Sequence, residues 1–415
     1  MGFVQGLRCH ECGHDYPTSP VHVCEECFGA LEVVYDFVAI KRSVTKDQIA
    51  ARERNLWRYR ELLPIDGEPR IGLYSGFTPL IRARRLGDAL GAKELYLKDD
   101  SINHPTFSYK DRVVSVALAK ALEFGFDTIA CASTGNLANS VAAHAAAAGL
   151  NCYVFIPDNL EKSKIVGSAI YGPNTIAVKG NYDTVNRLCS EIGDKYGWAF
   201  VNVNLRPFYA EGAKTQGFEI AEQLGWKLPQ HVIIASAGGT ILPRVAKAFK
   251  ELIALGWVAD TGCKIYAAQA AGCAPIINAL HSGADITPVK PNTIASSIAI
   301  GDPGDGYAVL EAIKDSGGWG ESATDEEILE GIKLLARTEG IFAEPAVGAE
   351  IAATKKLIDS GRIPGNESLV ISITGHGYKA LDAAAACLEA PHTIEPELSK
   401  FDRLLPRLGH PGVVR

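Results

Sequence analysis

The sequence predicts an α/β protein of roughly two or three domains, with mainly parallel sheets, helices on both faces and a small cysteine-rich module at the start of the chain. Three observations predict this class. Apolar strand-like runs alternate with helical stretches over most of the chain, which is typical of parallel sheets. The 415 residues exceed what one compact core usually holds, and 47% of them are hydrophobic, so the chain can bury a large interior. Four of the 10 cysteines lie in the first 27 residues, which sets that segment apart.

The first segment, residues 1–36, contains two Cys-x2-Cys pairs, Cys9 with Cys12 and Cys24 with Cys27. Each pair brings two thiolates close enough for one tetrahedral ion, and both pairs together supply four sulfur ligands. Such sites suit zinc, with iron as the alternative. Two disulfides are the other interpretation, which the lack of a secretory pattern at the start of the sequence disfavours. We therefore expect a zinc-ribbon-like or rubredoxin-like module in a cytoplasmic protein.

The composition argues against two kinds of partner. With 41 Lys and Arg against 48 Asp and Glu, the formal net charge is −7, whereas a protein that binds the nucleic-acid backbone needs a basic face. No run of about 18 uninterrupted apolar residues is present, so no membrane span is expected. We therefore expect neither nucleic acid nor a membrane as a partner.

Residues 37–75 are predicted to link the cysteine module to the rest of the chain. The stretch 39–63 is polar and helix-prone, and Pro64 lacks the backbone donor that a further helical turn would need. The sequence therefore predicts one linking helix that ends at Pro64, followed by an extension.

After this link, the hydrophobic pattern alternates between strand and helix periods. Strands are predicted at residues 94–98, 128–132, 151–156, 175–178, 200–203, 231–235, 264–268 and 369–373. Helices are predicted at residues 111–124, 137–148, 182–196, 214–224, 242–255, 325–337 and 347–359. The tail after about residue 391 is punctuated by prolines and is expected to wrap the surface.

Loops that follow predicted strands deserve the closest inspection, because ligands in such folds gather at the carboxyl ends of strands. In the first loop, Lys110 stands at the start of a helix, where the dipole favours anions and lowers the pKa of an ammonium group. Such a lysine suits Schiff-base chemistry. The alternative is an ordinary solvated lysine in the first turn of a helix.

Three further loops carry polar groups. Ser133, Thr134 and Asn136 precede a helix and suit a carboxylate or phosphate, or else form a plain helix cap. The loop 236–240 can cradle a phosphate with backbone N–H groups, although it lacks the fingerprints of nucleotide-binding loops. Thr374 and His376 lie in the loop after the last predicted strand. Together with the lysine, these groups match a phosphorylated pyridine aldehyde.

Several motifs, in this order, resemble those of the fold type II pyridoxal-phosphate enzymes and, within them, the threonine synthase family. They are Gly-Phe-Thr-Pro-Leu at 76–80, Asn-His-Pro-Thr-Phe-Ser-Tyr-Lys-Asp-Arg at 103–112, Ser-Thr-Gly-Asn at 133–136, the loop 236–240, Glu-Gly-Ile-Phe-Ala-Glu-Pro at 339–345 and Thr-Gly-His-Gly at 374–377. The runs at 202–207 and 211–215 point to threonine synthase rather than to its relatives. The resemblance covers about residues 76–388, and some members of the family also have an N-terminal cysteine ribbon.

The resemblance implies a role for each matched residue. Lys110 would hold pyridoxal 5′-phosphate as an imine and act as general acid–base. Asn136 would bind the 3′-oxygen of the cofactor, and Thr374 its pyridine nitrogen. The cofactor phosphate would be bound by Ser236, Ala237, Gly238, Gly239 and Thr240. The substrate carboxylate would be held by Ser133, Thr134 and Asn136, and the substrate phosphate by Asn204 and Arg206 with Ser108 and Lys214.

The sequence departs from the usual family pattern at a few of these positions. In the lysine motif, Phe107 replaces a glycine and Tyr109 replaces a phenylalanine. Tyr209 stands where some relatives have an arginine. The phosphate loop has two glycines where relatives often have three or four.

The resemblance implies conversion of O-phospho-L-homoserine and water into L-threonine and phosphate by β,γ-elimination and replacement. The alternatives are a cysteate synthase that uses O-phosphoserine, a threonine dehydratase or a cysteine synthase. A binding protein with an inactive core is a further alternative. The catalytic core is expected at residues 76–390, with a smaller subdomain at roughly 112–208, a tail at 391–415 and a homodimeric assembly.

Overall fold

The computed structural model describes residues 2–133, 135–158, 162–179, 182–385, 388 and 390–408. The strands of these residues are β1 Val4–Cys9, β2 Asp15–Tyr16, β3 Leu31–Tyr35, β4 Leu80–Arg82, β5 Glu94–Asp99, β6 Thr128–Ala132, β7 Asn151–Pro157, β8 Asn174–Val178, β9 Ala199–Phe200, β10 His231–Ala235, β11 Lys264–Ala270, β12 Gly320–Ala323 and β13 Ser368–Ile373. They form three sheets.

The α-helices are α1 Phe37–Ser43, α2 Lys46–Ala50, α3 Arg84–Leu90, α4 Lys110–Glu123, α5 Asn136–Ala148, α6 Lys162–Ala169, α7 Tyr182–Tyr196, α8 Arg206–Glu211, α9 Lys214–Gln223, α10 Ile241–Ala254, α11 Pro275–Ser282, α12 Gly306–Ser316, α13 Asp325–Glu339, α14 Pro345–Asp359, α15 Leu381–Ala385 and α16 Leu398–Leu404. Short 3-10 helices cover Leu56–Leu62, Asp100–Ile102, Ser296–Ile298, Gly377–Ala380 and Leu405–Arg407. Within the described part of the chain, none of these helices is both long and apolar enough to cross a bilayer.

The largest sheet has six strands in the order β12-β11-β10-β13-β5-β4. All its neighbours are parallel except β4, which pairs with β5 in the antiparallel sense. The four-stranded sheet, β8-β7-β6-β9, is entirely parallel. This confirms the predicted α/β class with mainly parallel sheets.

Helices cover both faces of the six-stranded sheet, as its apolar pattern requires. Along β10, Val232 and Ile234 belong to the hydrophobic cluster that contains Leu242 of α10. Ile233 points to the opposite face and packs in a second cluster with Val347 of α14. A strand buried on both faces reads as a continuous apolar run, which is why β10 was predicted with its observed bounds.

Two predicted elements are wrong. The single linking helix at 39–63 is divided into α1, α2 and the 3-10 helix Leu56–Leu62. Thr45 and Gln48 form a capping box that starts a new helix, α2, so α1 does not continue past Thr45. The strand predicted at 200–203 stops at Phe200, because the next residues form a turn in which the Val203 N–H donates to the Phe200 carbonyl at 3.0 Å.

The edge strands β4 and β12, of three and four residues, were missed because such short runs carry little periodic signal. The described part of the tail, including α16, lies mostly exposed.

The N-terminal module is a three-stranded antiparallel sheet in the order β2-β1-β3. Its apolar side chains, such as Leu31 and Val33, belong to the same hydrophobic cluster as Leu242 of α10. At its edge, the Glu32 carboxylate pairs with Arg244, and the Tyr35 hydroxyl donates to Glu211 at 2.8 Å. The module therefore packs directly on the helices of the larger body.

The three central strands of the six-stranded sheet position most of the predicted site. β10, β13 and β5 are adjacent and parallel, so their carboxyl ends meet at one edge. The loop 236–240 follows β10, Thr374 follows β13, and the segment leading to Lys110 follows β5. At the other sheet, Asn136 follows β6.

Candidate active site

Lys110 is the first residue of α4 and lies at the centre of the candidate site. The loop before it is fixed by backbone hydrogen bonds to the segment that follows β13. The Tyr109 N–H donates to the Thr374 carbonyl at 2.9 Å, and the His376 N–H donates to the Phe107 carbonyl at 3.0 Å. The lysine is therefore held against the end of β13.

Phe107, which replaces the usual glycine, has a φ of +61°. A side chain in the left-handed region costs backbone energy, and glycine is the residue that adopts it freely. The phenylalanine thus adopts a conformation that glycine adopts freely. Its ring is 53% exposed and lies 6.2 Å from the His376 ring, centroid to centroid.

The residue after the lysine fixes the loop from inside. The Asp111 carboxylate accepts hydrogen bonds from Thr106, at 2.7 Å from the hydroxyl and 3.0 Å from the backbone N–H, and from the Ser140 hydroxyl at 2.7 Å. Arg112 is fully buried between Asp100 and Glu219. The Asp-Arg pair after the lysine thus ties α4 to the core.

Among the described residues, the Lys110 amine has two hydrogen-bond partners, both tyrosine hydroxyls. Its Nζ lies 2.7 Å from the Tyr109 Oη and 3.0 Å from the Tyr209 Oη. Burial lowers the pKa of Lys110, but Tyr109 and Tyr209 together raise it by more, so its pKa lies above the ordinary value. The expected lowering of this pKa by the helix N-terminus is therefore wrong for the side chain with these two partners.

Asn136 and Thr374, the two residues predicted to bind the cofactor ring, meet at one carboxylate. The Asn136 amide donates to the Glu344 Oε2 at 3.1 Å, and the Thr374 hydroxyl donates to its Oε1 at 3.4 Å. Burial raises the pKa of Glu344 above the ordinary value. Two segments more than 200 residues apart in the sequence are thereby brought to the same point.

The loop 236–240 leads into the N-terminus of α10, where unpaired backbone N–H groups favour an anion. Gly239 has a φ of +95°, and a Cβ there would lie 2.8 Å from the Asp305 carbonyl oxygen, so only glycine fits. A Cβ on Gly238 would meet no atom within 4 Å. The loop therefore has open space on one side, as a phosphate cradle requires.

Two buried hydroxyls test whether the site fits a phosphorylated cofactor. Ser108 Oγ and Ser236 Oγ are buried, and neither has a hydrogen-bond partner among the residues that the structure describes. Buried polar atoms are normally satisfied, so two orphans next to the lysine loop and in the phosphate loop indicate a missing polar ligand. With the amine of Lys110, this donor set fits pyridoxal phosphate.

Arg206, predicted to bind the substrate phosphate, reaches the phosphate loop through a carboxylate. Its guanidinium donates to the Asp305 Oδ1 at 2.6 Å, and the Thr240 hydroxyl donates to Oδ2 of the same carboxylate at 3.1 Å. About a third of the Arg206 side chain is exposed. Arg206 therefore lies near the loop, with its guanidinium paired to Asp305.

Two predicted substrate ligands are contradicted by their surroundings. Lys214 is fully buried and pairs with Glu211 at 2.5 Å and with Glu251 at 2.9 Å, so its ammonium is not free to bind a substrate. Asn204 uses both ends of its amide inside the turn after β9. It accepts from the Phe200 N–H at 2.8 Å and donates to the Trp198 carbonyl at 3.0 Å.

Of the substrate-carboxylate group, Ser133 lies at the end of β6, and its hydroxyl accepts from the Gly135 N–H at 3.4 Å. Thr134 lies outside the described residues. The structure therefore places Ser133 and Asn136 at the same helix start.

Three charged residues of the site were missed in the sequence. Glu344 lies in the 339–345 motif, which was a usable signal. Asp305 gave no such signal, because it lies 65 residues from the threonine that it contacts.

The third missed residue, Lys379, follows Thr374 by five positions. Burial lowers its pKa, and Asp111 and Glu344 partly offset this. Within the described chain it makes no ion pair, so it adds a cation to this edge.

The four cysteines of the N-terminal module lie together. Their sulfur atoms are all within 4.8 Å of one another, with Cys9 and Cys27 3.5 Å apart and Cys12 and Cys24 3.6 Å apart. Four sulfurs at ~2.3 Å from one tetrahedral ion would be separated by about 3.8 Å. The spacing is therefore close to that of a four-thiolate metal site.

Comparison with known proteins also points to a pyridoxal-phosphate enzyme. A family model described as pyridoxal-phosphate dependent enzyme matches residues 71–375. The threonine synthase of Methanocaldococcus jannaschii is 40% identical over 405 residues, which cover 97% of this chain and 99% of that protein. The threonine synthase of Methanosarcina acetivorans is 38% identical, over 94% of this chain and 96% of that protein.

Solved structures support the fold. The processed form of threonine deaminase isoform 2 from Solanum lycopersicum has a TM-score of 0.62 at 22% identity and covers 74% of this chain and 83% of that one. Maize serine racemase has a TM-score of 0.62 at 20% identity and covers 72% of this chain and 88% of that one. At this identity the likeness concerns the fold alone. Taken with the lysine site and the family model that spans most of the sequence, it leads to one conclusion: the chain belongs to the pyridoxal-phosphate dependent enzyme family.

Proposed function

We propose that this chain is a lyase that converts O-phospho-L-homoserine and water into L-threonine and phosphate with pyridoxal 5′-phosphate as cofactor. One observation carries the proposal: similarity to a threonine synthase at 40% identity extends over 97% of this chain. The geometry around Lys110 supports it, because an amine, two orphaned hydroxyls and an open glycine loop follow β5 and β10, which flank β13 in one sheet.

The cofactor would be held by residues of four loops. Lys110 would bind it covalently, Asn136 and Thr374 would contact its ring, and the loop 236–240 would bind its phosphate at the N-terminus of α10. When bound, the cofactor supplies an electron sink for the carbanion chemistry of the substrate. Glu344, which otherwise accepts from Asn136 and Thr374, would orient both side chains.

The chain itself moves protons and binds anions. Once its amine is free, Lys110 Nζ would take a proton from the substrate carbon and later return it. Ser133 and Asn136 would hold the substrate carboxylate at the start of α5. Arg206 and Ser108 remain the proposed ligands of the substrate phosphate, with Lys379 as an additional cation at the same edge.

The experiment is a substrate screen with phosphate release and amino-acid products as readouts. Incubation with O-phospho-L-homoserine should give L-threonine and phosphate in a one-to-one ratio. The same assay with O-phospho-L-serine distinguishes the sister enzyme, because a new product at an equal or higher rate with that substrate would replace the proposal. Products from unphosphorylated threonine or O-acetylserine would point to a dehydratase or a cysteine synthase.

The cysteine cluster is proposed to hold one zinc ion, because four thiolates at this spacing suit its tetrahedral preference. Metal analysis of the purified protein should give one zinc per chain, and Cys9→Ser should lower it. Cys263→Ser, outside the cluster, is the matched control. Iron in place of zinc would correct the metal, and full retention of metal in Cys9→Ser would reject the four-thiolate site.

The chain is further proposed to act as a cytoplasmic homodimer, with its catalytic core at 76–390, a smaller subdomain at roughly 112–208 and a tail at 391–415. Exposed apolar side chains in the tail, such as Leu398 and Phe401, are compatible with an assembly. Sedimentation analysis of the full chain should give twice the mass of one chain. A monomer at micromolar concentration would contradict this.

A further inference from the structure

Two tyrosines surround the amine of Lys110, and they come from different parts of the chain. Tyr109 precedes the lysine in sequence, whereas Tyr209 lies in α8, 99 residues away. Both positions are departures from the family pattern. The hydroxyls are therefore a specific feature of this site, and the proposed function does not yet use them.

We propose that Tyr209 is a positioning residue that acts through Lys110: its hydroxyl fixes the direction of the amine and stabilises the protonated form during proton transfer. The inference rests on the proposed function. When Nζ takes a proton from the substrate carbon, the C–H bond breaks and an N–H bond forms. The ammonium then donates to the Tyr109 and Tyr209 oxygens. The proton returns from Nζ to the substrate, so no net proton is gained or lost.

The backbone that carries Tyr209 is rigid. Its side chain is 5% exposed, and its N–H donates to the Leu205 carbonyl at 2.9 Å. Two residues later, the Glu211 carboxylate accepts a hydrogen bond from the Tyr35 hydroxyl at 2.8 Å. It also forms ion pairs with Lys214 Nζ at 2.5 Å and with Lys247 Nζ at 2.9 Å. α8 is thus anchored by a buried ionic cluster on one side and presents a phenol to Lys110 on the other.

A phenol suits this task better than a charged partner. A carboxylate at about 3 Å would stabilise the ammonium form more strongly than a neutral hydroxyl does, and an arginine would repel it. A neutral hydroxyl accepts a charge-assisted hydrogen bond but leaves the amine able to lose its proton. The nearby carboxylates are directed elsewhere: Asp111 faces Thr106 and Ser140, and Glu344 faces Asn136 and Thr374. Lys379 is a further cation at this edge.

The first experiment measures the basicity of Lys110 directly in the full-length, cofactor-free protein. Acetic anhydride acylates an amine only in its unprotonated form, so the pH dependence of acetylation at Lys110 Nζ, located by peptide mass spectrometry, reports its pKa. Tyr209→Phe should lower this pKa by about one unit, which gives about tenfold more labelling at a fixed pH below it. Tyr196→Phe, at an exposed site in α7, is the matched control. A labelling curve identical to that of the parent would overturn the proposal.

The second experiment uses the cofactor-loaded enzyme. Tyr209→Phe should lower kcat for threonine formation about tenfold or more, leave KM within about threefold and move the pH profile of kcat. A rise in KM at unchanged kcat would overturn the proposal, because Tyr209 would then bind substrate only. If Tyr209→Phe fails to fold, 3-fluorotyrosine at the same position alters the acidity of the phenol at nearly constant volume. It should shift the labelling curve in the same direction by a smaller amount, and an unchanged curve would overturn the proposal.

These outcomes separate the two ideas. Absence of threonine formation by the parent protein would reject the proposed function. The labelling comparison needs no substrate and tests Tyr209 independently.

Discussion

Lys110 and Lys214 occupy equivalent positions in their helices but have opposite surroundings. Each is the first residue of a helix, α4 and α9 respectively. Lys110 meets two neutral hydroxyls and an open edge of the sheet, whereas Lys214 is fully buried between Glu211 and Glu251, with the Tyr35 ring 4.1 Å from its ammonium. The position at a helix start therefore does not decide whether a lysine is reactive. The groups around the ammonium decide whether the lysine is reactive.

The largest expected difference between the two lysines is in catalysis. Lys110→Ala removes the amine that binds the cofactor and moves the proton, so threonine formation should fall by at least about 1000-fold. The visible absorption of the bound cofactor should disappear as well. Spectra and phosphate release check this, with Lys250→Ala on the surface as control. An unchanged spectrum would mean that another amine holds the cofactor.

The complementary substitution should affect stability rather than cofactor binding. Lys214→Ala leaves Glu211 and Glu251 buried without their shared cation, which should lower the free energy of unfolding by about 3–5 kcal/mol. Lys250, in an exposed pair with Asp315, is the matched control, and its alanine variant should lose at most about 1 kcal/mol. Denaturant unfolding measures both. Equal losses would show that burial does not distinguish these ion pairs.

The carboxylate partner of Lys214 predicts a pH dependence. Burial raises the pKa of the Glu211 carboxyl, but Lys214, Lys247 and Arg244 lower it by more. The net result is a pKa of about 2, below the ordinary value of 4.5. Because the folded-state pKa is depressed, ionised Glu211 stabilises the fold fully above pH 4.5. This stability, up to about 3 kcal/mol, is lost as the pH falls towards 2.

Glu211→Gln should therefore flatten the acid side of the stability curve between these two pH values. Unfolding by denaturant at a series of pH values measures it. Tyr209→Phe, on the same helix, should leave the slope of that curve unchanged, since no carboxylate is affected. A parent-like slope in Glu211→Gln would place the acid sensitivity elsewhere.

The smallest expected effect concerns the link between the cysteine module and this ionic cluster. Tyr35→Phe removes one buried hydrogen bond to Glu211, so the unfolding free energy should fall by about 1–2 kcal/mol. Tyr307→Phe, at an exposed hydroxyl, provides the control. Thermal or denaturant unfolding resolves a change of this size, and a loss no greater than that of the control would show that water replaces the bond.

Sequence patterns predicted those parts of the molecule whose signal is local. β6 and β10, buried on both faces, give continuous apolar runs, and their observed bounds match the predicted ones. The loops around Lys110, Asn136 and Gly239 were found because strand ends, helix starts and glycines are visible in sequence. Thr45 and Gln48 could have divided the predicted linking helix, because a capping box has a four-residue pattern.

The remainder depends on contacts that sequence spacing does not reveal. Lys214 was assigned to the substrate from the family resemblance, but its second carboxylate partner comes from a residue 37 positions away. Tyr209 reaches Lys110 across 99 positions, and Asp305 reaches Thr240 across 65. Such pairs determine charge and basicity, so the predicted substrate-phosphate ligands were the part of the site that required most correction.

The packing of β3 against α10 has a consequence for how the molecule comes apart. Val33 and Leu242 share one apolar cluster, and α10 begins directly after the glycine loop. Neither the cysteine module nor the body beneath it can therefore lose its structure while the other keeps a complete interior. Whatever stabilises the first 36 residues should therefore also stabilise α10 and the glycine loop that leads into it.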